Sequence, residues 1–136
     1  MDIKRTILLV EDDMVDIMTI KQAVRELQIE NPLIVTQSVE EGAKYLETCR
    51  ENLPFIILLN INMPRMNGVE FLKVIKQDKR LRAIPIIILT TSKEQQDRYE
   101  GLHLGVAGYM VKPIHYQEFL DLLKMINAYW IQSEMP

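Results

Sequence analysis

Four short apolar runs in this chain each stop at side chains able to do chemistry. Thr6-Ile-Leu-Leu-Val10 ends in Glu11-Asp12-Asp13 and Phe55-Ile-Ile-Leu-Leu59 in Asn60. Pro85-Ile-Ile-Ile-Leu89 ends in Thr90-Thr91-Ser92, and Ala107-Gly-Tyr-Met-Val111 in Lys112-Pro113. Adjacent carboxylates repel one another. A hard divalent cation, which takes carboxylate oxygens, gives them a reason to adjoin an apolar run, where a merely solvated acidic loop does not. Thr90 offers a hydroxyl and Lys112 a positive charge. Asn60 has no negative charge and is a poor nucleophile. It can orient a ligand, but it is ill suited to accept a transferred group, and the rest of the set reads as machinery for a carboxylate at position 60.

The elements around these residues explain how they could meet. Short continuous apolar runs read as buried parallel strands, and those between them carry helical periodicity. Ile17, Ile20, Val24 and Leu27 mark a helix over about 13–28; Ala43 and Leu46 mark a second; Val69, Leu72 and Ile75 a third. Ser38-Val-Glu-Glu41 and Ser92-Lys-Glu-Gln95 have the capping-box pattern of a helix start. The fourth helix is expected to reach about Leu104, with Gly105 as its C′ glycine and Gly108 at a close approach. A last helix over about 115–131 carries Phe119, Leu122, Leu123, Ile126 and Trp130. With Leu33-Ile-Val-Thr36 as the remaining strand, five strands alternate with five helices, which predicts a parallel sheet covered on both faces with right-handed crossovers. All strand ends then lie on one edge of the sheet, where open α/β folds place their chemistry.

Composition narrows the function classes. The 136 residues suit a single domain, 1–136 with a core over about 5–131. A net charge of −3 without a basic run argues against nucleic acid. Cys49 is the single cysteine, so neither a disulfide framework nor a thiolate cluster is expected. No apolar run approaches the ~20 residues of a membrane span, and the start lacks a signal-peptide pattern. The expectation is a cytoplasmic protein. His103 and His115 lack metal-ligand spacing and read as ordinary helix residues; Lys93 reads as solvated. Met63 and Met66 are candidates for a soft partner surface, and Met110 for strand core.

Taken together, Leu8-Leu-Val-Glu-Asp-Asp13, Leu58-Leu-Asn-Ile-Asn-Met-Pro-Arg-Met-Asn-Gly68, Leu89-Thr-Thr-Ser92 and Tyr109-Met-Val-Lys-Pro113 resemble the receiver domains of two-component response regulators. Within that family they are similar to single-domain, phytochrome-associated receivers. The resemblance implies a flavodoxin-like doubly wound (βα)5 fold with strand order 2-1-3-4-5. It implies a phosphoryl switch rather than an enzyme, served by a sensor histidine kinase or a phosphotransfer protein. Glu11 and Asp12 match the acidic pair that holds Mg2+, Asn60 stands at a further position of that metal set, and the backbone carbonyl of Asn62 matches the main-chain metal ligand. Thr90 and Lys112 match the residues that bond and neutralise the phosphoryl group. Thr90 and Tyr109 match the switch pair.

Asn60 departs from the pattern where the family has its phosphoacceptor aspartate. The resemblance therefore implies blocked phosphorylation, weakened Mg2+ binding, and a Lys112 free to pair with Asp12 or with the Asn60 amide oxygen. Two origins fit: a pseudo-receiver adaptor signalling through fixed protein contacts, or an Asp-to-Asn replacement, natural or engineered, in a working receiver. Retention of Glu11, Asp12, Thr90 and Lys112 favours the second. A flavin or nucleotide binder on this fold is disfavoured, since Glu11-Asp12-Asp13 would repel phosphate where a phosphate-cradling loop is needed. Tyr116, Tyr129 and Trp130 exceed what one core stripe needs, and suggest a homodimer through the last helix.

Overall fold

The computed structural model describes residues 5–50, 52–63, 68–112 and 114–134, with side chains as far as residue 125. Strands β1 (Ile7–Val10), β2 (Leu33–Thr36), β3 (Ile56–Asn60), β4 (Ile86–Thr90) and β5 (Gly108–Val111) alternate with helices α1 (Met14–Glu26), α2 (Val39–Thr48), α3 (Gly68–Gln77), α4 (Lys93–Gly101) and α5 (Tyr116–Glu134). The strands pair in parallel in the order β2-β1-β3-β4-β5. This is the flavodoxin-like arrangement. Its order reverses between β1 and β3, where such sheets open a crevice.

Alternate residues of each strand feed opposite layers, as a pleated strand requires. Leu8, Val10, Ile57, Leu59, Ile86 and Ile88 pack with Leu46 of α2 and Phe71, Leu72 and Ile75 of α3. Ile7, Leu9, Ile56, Leu58, Ile87 and Leu89 pack with Ile17, Ile20 and Ala23 of α1 and Phe119, Leu120 and Leu123 of α5. Phe119 is fully buried, so its truncation to alanine would cost about 3–5 kcal/mol.

The register sets the site. Val10 is level with Leu59, Asn60 with Leu89, and Thr90 with Val111. Glu11 therefore follows its strand level with Asn60, and Lys112 follows its strand level with Thr91. Gly108 lets β5 approach β4, since a Cβ there would meet Ile87 Cδ1 at 3.2 Å.

Both expected serine caps form, but the reciprocal side chain in each reaches back to the residue before the cap rather than to the cap's own N–H. Ser38 Oγ accepts from Glu41 N (3.1 Å) while the Glu41 carboxylate accepts from Gln37 N (2.8 Å). Ser92 Oγ accepts from Gln95 N (3.1 Å), and Gln95 Oε1 accepts from the Thr91 hydroxyl (2.9 Å). Helix α4 stops at Gly101, earlier than its sequence suggested. Leu102 caps it and His103 (φ 51°) takes the left-handed position expected of Gly105, which is itself left-handed (φ 72°) two residues later. Helix α5 runs past Ile131 to Glu134; Gln132-Ser-Glu134 contains no helix breaker, and Pro136 is the first one. The Pro64–Asn67 turn, Met66 and Pro113, and the side chains of Ile126, Tyr129 and Trp130, lie outside the described residues.

Candidate functional site at the carboxyl edge of the sheet

Glu11 organises the edge from β1. It is fully buried, and its Oε1 accepts from the backbone N–H groups of Asp12 and Asp13 at 3.1 Å each. The carboxylate is thereby turned across the switch point. There Oε1 also accepts from Asn60 Nδ2 at 2.7 Å, while Oε2 lies 2.7 Å from Lys112 Nζ. Asn60, only 4% exposed, uses both ends of its amide: Oδ1 accepts from Asn62 N at 2.9 Å. Those two partners define which end of the amide is which, because a carboxylate can only accept and an N–H can only donate.

Lys112 is the sharpest correction. It pairs with neither Asp12 nor the Asn60 oxygen. Its ammonium bridges Glu11 Oε2 and, at 2.8 Å, Asp16 Oδ2. The Asn60 oxygen is already occupied by Asn62 N, and Asp12 is exposed while Glu11 and Asp16 are buried. Burial alone would lower the Lys112 pKa. The hydrogen bonds to Asp16 and Glu11 and their charges outweigh it, so the pKa is raised above 10.5.

The remaining expected residues are placed as follows. Asp13 is a helix cap, its Oδ1 accepting from Val15 N (2.9 Å) and Asp16 N (3.3 Å). That role explains the third acid of the run without a cation. The Thr90 side chain is fully buried, and its hydroxyl donates to Ser92 O at 3.3 Å. Tyr109 is half-buried against the α2–α4 layer. Burial raises its pKa first, and the charge of Glu100 adds to that. Met63 is buried at 6% exposure and so offers no partner surface, whereas Met110 packs into the core as expected. Lys93 is solvated beside Asp97.

Two contributions were not read from the sequence. Asp16, as a first-turn acid, looks like a helix-dipole complement; its place four residues before Ile20 and seven before Ala23 was the available signal that it also faces inward. The Asn62 side chain accepts from Thr91 N at 3.0 Å and so ties β3 to the loop after β4. The sequence pattern points only to its backbone carbonyl.

The donor set suits a hard divalent ion in kind: the Glu11 and Asp12 carboxylates and the Asn62 carbonyl. It suits one less well in charge, because Asn60 presents N–H groups towards Glu11 and Lys112 already neutralises that carboxylate. Among the described residues, no group of three or more His, Cys, Asp or Glu side chains is arranged to hold a metal. No helix among them is long and apolar enough to cross a membrane.

A model of the response regulator receiver domain matches residues 7–124, and the chain belongs to that family, the receivers of two-component signalling. Response regulator Rcp1 of Synechocystis sp. is 29% identical over 136 residues, covering 95% of this chain and 90% of its own. Its Mn(2+)-bound form has been solved and superposes at TM-score 0.75, at 28% identity over 96% of this chain and 97% of that one. The bacteriophytochrome response regulator RtBRR superposes at 0.80 with 32% identity, covering 90% of this chain and 77% of that one. The phosphorylated cyanobacterial phytochrome response regulator RcpA superposes at 0.78 with 28% identity over 98% of both chains.

Proposed function

We propose that this chain is a phosphorelay receiver whose acceptor position is occupied by Asn60, so that the site is built for phosphoryl transfer but silent in it. The observation that carries the reading is the placement of Asn60. It is the last residue of β3, buried, level with Glu11 across the switch point and joined through Glu11 to Lys112. A carboxylate at that point would attack phosphorus and release the donor's leaving group. The Asn60 amide nitrogen lone pair is delocalised and its oxygen carries no charge, so no acyl phosphate forms. Thr90 and Lys112 are the groups that would bond and neutralise a phosphoryl oxygen, and Tyr109 the aromatic that would follow Thr90. Phosphoryl transfer depends mostly on such positioning and charge neutralisation.

Glu11, Asp12 and the Asn62 carbonyl would hold Mg2+, more weakly than with an aspartate at position 60. When bound, the ion would neutralise phosphoryl oxygens. Partners on this reading are a sensor histidine kinase or a phosphotransfer protein, with a homodimer through α5 as a further contact; sedimentation showing only monomer at micromolar concentration would remove the dimer.

A second reading, a phosphorylation-independent adaptor, is supported by the Asn60 amide being held at both ends within the protein. Intact mass after treatment with acetyl phosphate and Mg2+ separates the two. A phosphoryl gain in Asn60→Asp but not in the chain itself supports the silenced receiver. No gain in either form transfers the case to the adaptor.

A further inference from the structure

We propose that Lys112 is the resident cation of this site: Asp16 and Glu11 together park its ammonium on the β1 side, and there it competes with a divalent ion for Glu11. The inference rests on the reading of Glu11 and Asp12 as the metal-facing pair, and deepens it by making Lys112 and Asp16, beside residue 60, determinants of metal affinity.

The geometry carries this. Glu11 has one carboxylate with two oxygens. Oε1 is taken by Asn60 Nδ2 and two backbone N–H groups, and Oε2 faces Lys112 at 2.7 Å. Oε1 already accepts three hydrogen bonds, so a metal approaching Glu11 is left Oε2, where it meets the charge of Lys112. The backbone donors are fixed by the chain, and the Asn60 amide is held from its other end by Asn62 N. Lys112 is the movable competitor. Asp16 is what makes it persistent. With its side chain 10% exposed and Oδ2 2.8 Å from the ammonium, it gives Lys112 a second anchor on α1. Asp16 is a positioning residue here, acting through Lys112 rather than on the metal. Glu11, Asp12 and Asp16 bring three negative charges to the centre, Lys112 one positive and Asn60 none, so Lys112 offsets part of the charge that would otherwise draw a metal.

The test is a titration of Mn2+ into the full chain at neutral pH, read by calorimetry and by water-proton relaxation, for the chain itself, Lys112→Arg and Lys112→Gln. The charge-retaining Lys112→Arg should bind more weakly than Lys112→Gln, because a positive charge still faces Glu11. Lys112→Gln should bind about tenfold tighter or more, the direction set by removing a unit positive charge a few ångströms from the ligands. Equal or weaker binding by Lys112→Gln overturns the proposal. Should Lys112→Gln fail to fold in metal-free buffer, its recovery is followed by circular dichroism against added Mn2+. Rescue supports the proposal, and no rescue at millimolar Mn2+ while Lys112→Arg folds overturns it. The phosphoacceptor reading is scored separately by phosphoryl uptake in Asn60→Asp. Failure there beside tightening in Lys112→Gln removes that reading and leaves the cation assignment standing.

Discussion

On the β1 side of Asn60, three charged side chains, each at most 14% exposed, meet at 2.7–2.8 Å. On the β4 side the contacts are between neutral groups: Asn62 Oδ1 with Thr91 N at 3.0 Å, Thr90 Oγ1 with Ser92 O at 3.3 Å, and Thr91 with Gln95. The helices behind the two sides differ in the same way. Helix α1 buries Asp16, Ile17, Ile20 and Ala23, whereas α4 has no buried residue and leans on the core through the half-buried Tyr99. Elements with few buried apolar contacts open locally at low free energy. One side of the site is therefore a fixed ionic frame, and the other a lightly fastened loop and helix able to shift while the frame stays in place.

Breaking the frame should have the largest consequence. In divalent-free buffer at neutral pH, Lys112→Met leaves Glu11 and Asp16 buried without a counter-charge and should cost about 3–5 kcal/mol in urea unfolding. A loss under about 1 kcal/mol, the size of a surface ion pair, would mean the β1 side is no more firmly held than the β4 side. Asn60→Asp should cost less, about 1–3 kcal/mol under the same conditions. The bond from Asn60 Nδ2 to Glu11 becomes a carboxylate–carboxylate contact, partly relieved by Lys112. Mg2+ should restore much of that loss in Asn60→Asp and do little for the chain itself; equal Mg2+ dependence of the two melting curves would contradict this.

Much of this contrast was legible in the sequence, and its limits have physical causes. Strand ends were readable because each apolar run stops at a polar residue, and parallel pairing puts all such ends on one edge. Candidate residues could thus be collected from four distant segments. What could not be read was which acid meets which base. Glu11, Asp12, Asp13 and Asp16 look alike as residues. Only the fold assigns one to the core crevice, one to solvent, one to a helix cap and one to Lys112. The weak anchoring of α4 was half legible, since Lys-Glu-Gln-Gln-Asp-Arg-Tyr-Glu-Gly offers one large apolar residue. The early stop at Gly101 depended on a left-handed turn at His103 that residue type does not announce.

The frame also has a pH signature. Lys112 has its folded pKa raised above 10.5. Its contribution is therefore fully present below the unfolded value and is lost as pH rises through the folded one. Tyr45, hydrogen-bonded to Thr6, and Tyr109 are raised above 10.0, burial being the first cause for each. Their unfolded forms deprotonate first, so they too remove stability at high pH. Unfolding free energy should be nearly flat from pH 8 to about 10 as far as these groups are concerned, and should then fall. The fall should be shallower in Tyr45→Phe and shallower again in Lys112→Arg, whose guanidinium stays charged. An undiminished slope in Lys112→Arg would show that the ammonium does not carry the effect.

The smallest expected change in stability falls on the lightly fastened side. Asn62→Ala removes the bond that Thr91 N donates, an exposed contact, and should cost about 0.5–1 kcal/mol. Its effect should be local. Hydrogen exchange in the loop after β4 and along α4 should quicken several-fold, while amides of α1 and β1 keep their protection, because the Glu11–Lys112–Asp16 frame does not pass through the Asn62 side chain. The backbone N–H of Asn62 is retained in the variant, so Asn60 keeps its acceptor bond and the frame keeps its middle link. If α1 and α4 instead lose protection together, the two sides belong to one cooperative unit. The Asn62 side chain would then be transmitting across β3 what the static geometry presents as separate halves.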